Sequence, residues 1–245
     1  FLDYKIPQVK FVDRTFNCSH ERTLELWHFI QDNDNGVTNF HFEITADLLN
    51  DEEMDLLAAL RPGLVQLEIG VQSTNPETIG AIDRVMDFER LATVVRRIHQ
   101  GHNVHQHLDL IAGLPYEDMA SFIKSFNDVY SLAPQQLQMG FLKVLKGSKM
   151  HRVQTAYDLV YRTKPPYEVM GTRWIDFDDI LVLIGVEEMV EVYYNSTQFR
   201  LSLKYLLHFF KAPFDLFLEL ARFYESRGLN GYKHSRLERY EILRR

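Results

Sequence analysis

Between residues 8 and 150, segments of strand character alternate with segments of helical character, and this alternation limits the fold more than any other feature of the chain. Val9–Thr15 reads as a strand, and a helix over Glu21–Gln31 follows. Asn39–Thr45 is a second strand. Asn50 and Asp51 then start a helix that stops at Arg61-Pro62-Gly63, as proline and glycine require. Leu64–Val71 is a third strand, Asn75-Pro76-Glu77 opens another helical stretch, and Phe88–His99 is helical up to Gly101. Val104–Ala112 is a fourth strand, Tyr116–Leu132 a helix and Gln136–Leu145 a fifth strand. Strands joined by helices must run parallel, which predicts an α/β sheet or barrel.

The strand faces narrow this further. Phe40, Phe42 and Ile44 share one face of the second strand, and His41, Glu43 and Thr45 share the other. In the third, Val65, Leu67, Ile69 and Val71 oppose Gln66, Glu68, Gly70 and Gln72. In the fourth, His105, His107 and Asp109 lie together. A parallel strand buried on both faces reads as continuously apolar. Neighbouring strands that each turn polar groups to one side predict a lumen that holds a polar ligand, with helices over the apolar side. A one-sided antiparallel sheet facing water is the simpler alternative, and the helical connections weigh against it.

After Met150 the rhythm changes. A Lys164-Pro165-Pro166 break precedes a helix-rich segment from Asp176 onward, so the chain reads as a barrel over residues 1–150 and a helical domain over 165–245. Leu181, Ile184, Val190 and Tyr194, and then Tyr205, Leu206, Phe209 and Phe210, fall at helical spacings and are expected in a core. Asp176, Asp178 and Asp179 precede an apolar helix and read as N-terminal capping charge.

The net charge of −7 over 245 residues argues against a nucleic-acid surface. No apolar run approaches the ~20 residues of a membrane span. The single cysteine, Cys18, rules out an internal disulfide framework and fits a reducing cytoplasm. As a nucleophile it would need an adjacent base, and His20 nearby lacks a third orienting group. His99, His102, His105 and His107 form the densest histidine group, but a helix end and a strand face divide them, and only Asp109 could extend a ligand set. They read as solvated or lumen histidines, with His105 and His107 able to serve a substrate as proton donors.

At Gly70-Val71-Gln72-Ser73, followed by Arg84, and at Asp109-Leu110-Ile111-Ala112-Gly113-Leu114-Pro115, the sequence resembles the radical S-adenosylmethionine (SAM) superfamily. It looks most like the branch containing oxygen-independent coproporphyrinogen III oxidase and the cobalamin-dependent, Mg-protoporphyrin-monomethyl-ester-cyclase-like proteins. VKFVDRTFN, residues 9–17, is similar to the second barrel strand of the latter group. The resemblance covers residues 8–150 well and the rest weakly. It implies a partial (β/α)6 TIM-like barrel with SAM across the C-terminal strand ends, where barrel active sites lie. It also implies roles for individual residues. Glu43 would meet the SAM ammonium, Gln72 and Asp109 the ribose hydroxyls, and Arg84 the SAM carboxylate. Gly113, with Ala112 and Leu114, would let the chain pass close to the adenine.

The pattern also departs from that family. Its CxxxCxxC loop, whose thiolates hold a 4Fe–4S cluster, has no counterpart here, and Asp13-Arg14-Thr15-Phe16 replaces a glycine-rich turn. The expectation is a chain that begins after the first strand and its cluster loop, with no catalytic residue of its own. The full-length parent would bind the cluster and SAM, generate a 5′-deoxyadenosyl radical and act on a small, tetrapyrrole-like or other substrate, and any cobalamin would sit in a domain outside this chain. Strand Val9–Thr15 would then be an open edge and a route to a dimer. Two other readings remain open: a non-catalytic barrel-like binding domain, and a metal-free acid–base enzyme using Glu43, Glu68 and Asp109.

Overall fold

A computed structural model describes all of residues 1–245. Its main sheet has five strands in sequential order, β1 (Gln8–Lys10), β2 (Asn39–Ile44), β3 (Val65–Gln72), β4 (His105–Ala112) and β5 (Gln136–Phe141). β1 to β4 pair in parallel. The helices α1 (His20–Asp32), α2 (Asp51–Ala59), α3 (Pro76–Ala81), α4 (Phe88–Gly101) and α5 (Met119–Tyr130) form the crossovers. The alternation predicts an α/β sheet or barrel, and the arrangement is the partial TIM-like barrel that the family resemblance implies. No helix is long and apolar enough to cross a membrane.

Local chemistry places the helix ends. Asn50 and Glu53 cap α2 reciprocally, with the Asn50 side chain accepting from Glu53 N–H and Glu53 Oε2 accepting from Asn50 N–H. Asp87 and Asn75 cap α4 and α3. The other end of α2 is closed by a buried residue far along the chain. Asn103 Nδ2 donates to the carbonyls of Leu57 at 2.7 Å and Leu60 at 2.8 Å.

The chain divides into two compact units. The first comprises residues 1–110 and 131–136, the second residues 111–130 and 137–245. In the first, the apolar sheet face is fully enclosed: Val65, Leu67, Ile69 and Val71 have no exposure, while Gln66, Glu68, Gly70 and Gln72 alternate with them at intermediate exposure. Phe42 stacks with Phe11 at 4.7 Å and packs on Phe16 at 4.4 Å, with Trp27 behind.

That cluster also corrects the expected first strand. Instead of Val9–Thr15, β1 covers only Gln8–Lys10, with one further rung from Phe11 N–H to the His41 carbonyl. The chain then leaves the sheet because Phe16 turns inward and Asn17 bonds both the N–H and the carbonyl of Thr45.

The second unit contains α6 (Lys149–Arg152), an antiparallel pair β6 (Val160–Tyr161) and β7 (Val169–Gly171), and then α7 (Phe177–Met189), α8 (Arg200–Leu206), α9 (Pro213–Ser226) and α10 (Arg236–Arg244). A six-residue π-helix, Val190–Asn195, extends α7. The β6–β7 pair is a feature that the sequence pattern did not reveal, since neither strand is long enough to alternate. Asp176 caps α7 by accepting from Asp179 N–H, as its position implied.

The expected apolar stripes need correcting here. Val190 is buried, but Leu181 is 49% exposed, Ile184 44%, Tyr205 65% and Phe209 67%. The core of α7 is formed instead by Ile180, Leu183, Val186 and Met189. A helix that is apolar nearly all round carries no phase in its sequence, so the buried face is chosen by what packs on it.

Candidate functional site

The polar face of β1 to β4 forms a ladder whose rungs are set by register. Lys10, His41, Gln66 and His105 are consecutive partners on one rung, and Glu43, Glu68 and His107 on the next. Gly70 pairs with Asp109 on the third. Because side chains alternate every residue along a strand, this register brings residues far apart in sequence onto a common lumen face.

Glu68 is the hub of the lower rungs. Its Oε2 lies 2.8 Å from Lys10 Nζ and 2.9 Å from His41 Nε2. The lysine contact is a directed hydrogen bond, whereas the histidine approach is short without that alignment. Burial alone would raise the Glu68 pKa, but the Lys10 hydrogen bond and the charges of Lys10, His107 and His41 hold it below the usual glutamate value. His107 Nε2 lies 3.0 Å from Asp109 Oδ1. Burial lowers the pKa of His41 and of His105; Lys10 and His107 add to this at His41 while Glu68 opposes it, and His107 and His41 add to it at His105. Nε2 of His105 is buried without a hydrogen-bond partner.

On the same rung as Glu68, Glu43 is pushed above the ordinary glutamate range, first by burial and then by the charges of Glu68 and Asp109. Lys10 and Arg84 oppose that shift. Carboxylates whose charges act on one another in this way favour a positively charged guest.

Gly70 leaves bare backbone beside them. A Cβ there would fall 2.3 Å from Gln72 Nε2 and 3.2 Å from Arg84 Nη1, so both side chains lie over the bare glycine. Gln72 reaches this place through a bulge, where the register with β4 shifts between Gly70 and Gln72 and Gln72 takes a left-handed backbone with φ 68°. Its Oε1 is buried and unpaired. Held strain beside an unsatisfied amide marks a place where a ligand can supply the missing bond.

Of the residues singled out from the sequence, Glu43, Gln72, Arg84 and Asp109 thus lie around one face of the first unit. Gly113 belongs to the second unit. It has φ 80°, and a Cβ would meet Val169 Cγ1 at 2.6 Å and Ile180 Cδ1 at 3.8 Å, so it accommodates the chain's own β7 and α7. Sequence reasoning did not find Lys10 or the packing of Gln72 and Arg84 over Gly70. Lys10 is recognisable only once its rung with His41 is known, although the polar phase of β1 offered a weak signal. Cys18 is exposed. His99 and His102 pack edge to face at 5.6 Å at the end of α4, separate from the lumen pair His105 and His107.

Residues 155–245 match the family described as "Protein of unknown function (DUF4080)". The chain is 32% identical over 101 residues to an oxygen-independent coproporphyrinogen III oxidase of Bradyrhizobium diazoefficiens, covering 40% of this chain and 22% of that protein. It is 30% identical over 156 residues to the enzyme of the same name from Salmonella typhimurium, covering 57% and 34%. The chain therefore spans about a fifth to a third of the length of these relatives. In structure it is similar to the radical S-adenosylmethionine methyltransferase TsrM from Kitasatospora setae. The TM-score is 0.56 at 16% identity, over 68% of this chain and 34% of that one. TsrM has been solved with tryptophan and a SAM analog, and with cobalamin and a 4Fe–4S cluster.

Proposed function

We propose that this chain, a radical SAM superfamily barrel by sequence and fold, is the SAM-holding part of an enzyme that also binds a 4Fe–4S cluster. The observation that carries the proposal is the upper lumen. Glu43 sits among carboxylates with a raised pKa, Gln72 presents an orphaned buried amide oxygen, and both Gln72 and Arg84 lie over the bare backbone of Gly70. This donor set suits SAM, which combines an ammonium, a carboxylate and two ribose hydroxyls.

In this reading Glu43 takes the ammonium, and its ionised form, disfavoured in the empty lumen, is stabilised by the cation. Arg84 pairs with the carboxylate, to which a planar guanidinium can donate twice. Asp109 accepts from a ribose hydroxyl while Gln72 offers both donor and acceptor. With its single cysteine, the chain cannot supply three thiolates to a cluster. When bound, cluster and SAM together supply reductive cleavage of SAM, which makes a species able to take hydrogen from an unreactive C–H bond. The protein's contribution is to orient SAM and exclude water. The substrate is proposed to be a small molecule that enters the same lumen.

The test is SAM cleavage by the anaerobically reconstituted full-length protein. Release of 5′-deoxyadenosine, lost in Asp109→Asn and Glu43→Gln, is expected. Absence of SAM binding to the reconstituted protein would sink the reading. Turnover without iron or SAM would instead select an acid–base enzyme built on the raised Glu43. Cobalamin titration is the companion measurement, given the likeness to TsrM.

A further inference from the structure

The second unit leaves on its surface two side chains, Tyr205 and Phe209, that helical spacing had assigned to a core. In α8 and the short 3-10 turn after it, Leu207–Phe209, the side chains of Leu201, Tyr205 and Phe209 are 85%, 65% and 67% exposed. Spaced four residues apart, they form one ridge, and Tyr205 and Phe209 meet edge to face at 5.3 Å. The other side of the element holds it to the unit. There Phe199 and Leu203 are buried, and Phe199 packs on Tyr240 of α10 at 4.8 Å. A contiguous apolar ridge left in water marks a surface that a partner covers.

Charge identifies the partner. Arg200, Lys204 and His208, all exposed, each precede a ridge residue, so a basic row runs beside the apolar one, and Lys211 continues it. No Asp or Glu occurs between Glu191 and Asp215. Over residues 192–245, ten Lys and Arg stand against five Asp and Glu, in a chain whose net charge is −7. Positive charge is thus concentrated in the part of the chain that carries the ridge, and it calls for an anionic partner. A nucleic acid would use the cations and leave Leu201 and Phe209 in water. A bilayer of anionic phospholipids uses both rows. Its headgroups attract the cations, and its interface takes up the apolar side chains with the tyrosine hydroxyl turned outward. A protruding ridge also needs no shaped counterpart there. α8 has seven residues, about 10 Å of helix, so the contact lies in the plane of the interface.

We propose that the α8 ridge docks this protein on the surface of anionic lipid bilayers. The attachment is weak and reversible, since three apolar side chains and a few cations supply it. It is independent of the SAM reading and uses none of the residues proposed for SAM.

The experiment sediments the whole protein with vesicles of phosphatidylcholine containing about one third phosphatidylserine, and with vesicles of phosphatidylcholine alone. Binding is expected to the first, and most of it should be lost with the second or in high salt. The triple variant Leu201→Ser, Tyr205→Ser, Phe209→Ser should partition about 100-fold more weakly, and so should Arg200→Gln, Lys204→Gln, Lys211→Gln. All six positions are exposed, so an unchanged urea midpoint checks that each variant is folded. Phe209→Trp gives a direct reading. Its fluorescence should be quenched by lipids brominated on their acyl chains, beyond the wild-type response of Trp27 and Trp174. Equal binding to both kinds of vesicle, binding to neither, or binding indifferent to both triple variants overturns the proposal. Lipid-independent self-association that the serine variant abolishes would assign the ridge to a second copy of the chain and overturn it too. Binding to duplex DNA in place of vesicles, through the cations alone, would do the same.

Discussion

Replacing Gly70 with alanine separates a binding role for the upper lumen from a purely structural one. The backbone at Gly70 lies outside the left-handed region, so alanine is conformationally acceptable there. Loss of unfolded-state freedom should even stabilise the fold by about 0.4–1 kcal/mol. Against this, the new Cβ would lie 2.3 Å from Gln72 Nε2 and 3.2 Å from Arg84 Nη1. Overpacking typically costs about 1–3 kcal/mol, and the lower end applies because both obstacles are the ends of flexible side chains. Net stability should therefore change by no more than about 1 kcal/mol. Ligand binding should suffer far more, because the displaced groups are those proposed to grip SAM. Losing one charge-assisted hydrogen bond removes about 1.5–3 kcal/mol, or about 10- to 150-fold in Kd. Calorimetric titration with SAM, beside a urea midpoint, reads both quantities. An unchanged SAM affinity in a variant with normal stability would refute the reasoning, as would a loss of stability that accounts for the whole binding defect.

Other predictions use the same structure. Asn103→Ala leaves the Leu57 and Leu60 carbonyls without their buried donor and should cost about 2–4 kcal/mol in urea unfolding. Gly113→Ala combines a left-handed backbone with a contact of 2.6 Å to Val169, and should destabilise by about 2–5 kcal/mol in the same assay. His41 and His105 have folded pKa values below their unfolded ones, so the unfolded chain binds protons more readily. Their contribution to stability is complete above the unfolded value of about 6.5 and declines as pH falls through it toward the folded values. Thermal midpoints should drop over that window, and less so in a His41→Gln, His105→Gln double variant. We also propose that the outer edge of β1, which has no strand beyond it in the sheet, pairs with a second copy of the chain. Sedimentation should show a dimer that weakens on Gln8→Pro, because Pro7 and Phe11 bond to β2 and the Gln8 N–H therefore faces the open edge, and a strictly monomeric wild type would exclude the pairing.

How much of this was legible beforehand differs by element. α2, α4 and the strands β2 to β4 follow from local rules: Asn50, Asp87 and Pro62 sit where caps and breakers must, and Val65 to Val71 alternate with period two, although His102 rather than Gly101 takes the left-handed end of α4. The end of β1 does not, because Asn17 and Phe16 are drawn away by Thr45 and Phe42, partners more than twenty residues distant. The same holds for α7, whose apolar residues run round the helix and leave Leu181 and Ile184 exposed once Ile180 and Leu183 are chosen for the core.

For the candidate site, the sequence alone determined which residues are polar on each strand, since alternation is a property of a single strand. It therefore put Glu43, Gln72 and Asp109 on polar strand faces, and the motif resemblance singled them out as site residues together with Arg84 and Gly113. Only the tertiary structure decided which of these groups meet. Register puts Lys10 and His41 against Glu68, the bulge at Gln72 folds its amide back over Gly70, and Gly113 receives Val169. The physical reason is that pairing between strands depends on cross-strand hydrogen bonding and packing. No property of one segment reports the register at which another will lie beside it.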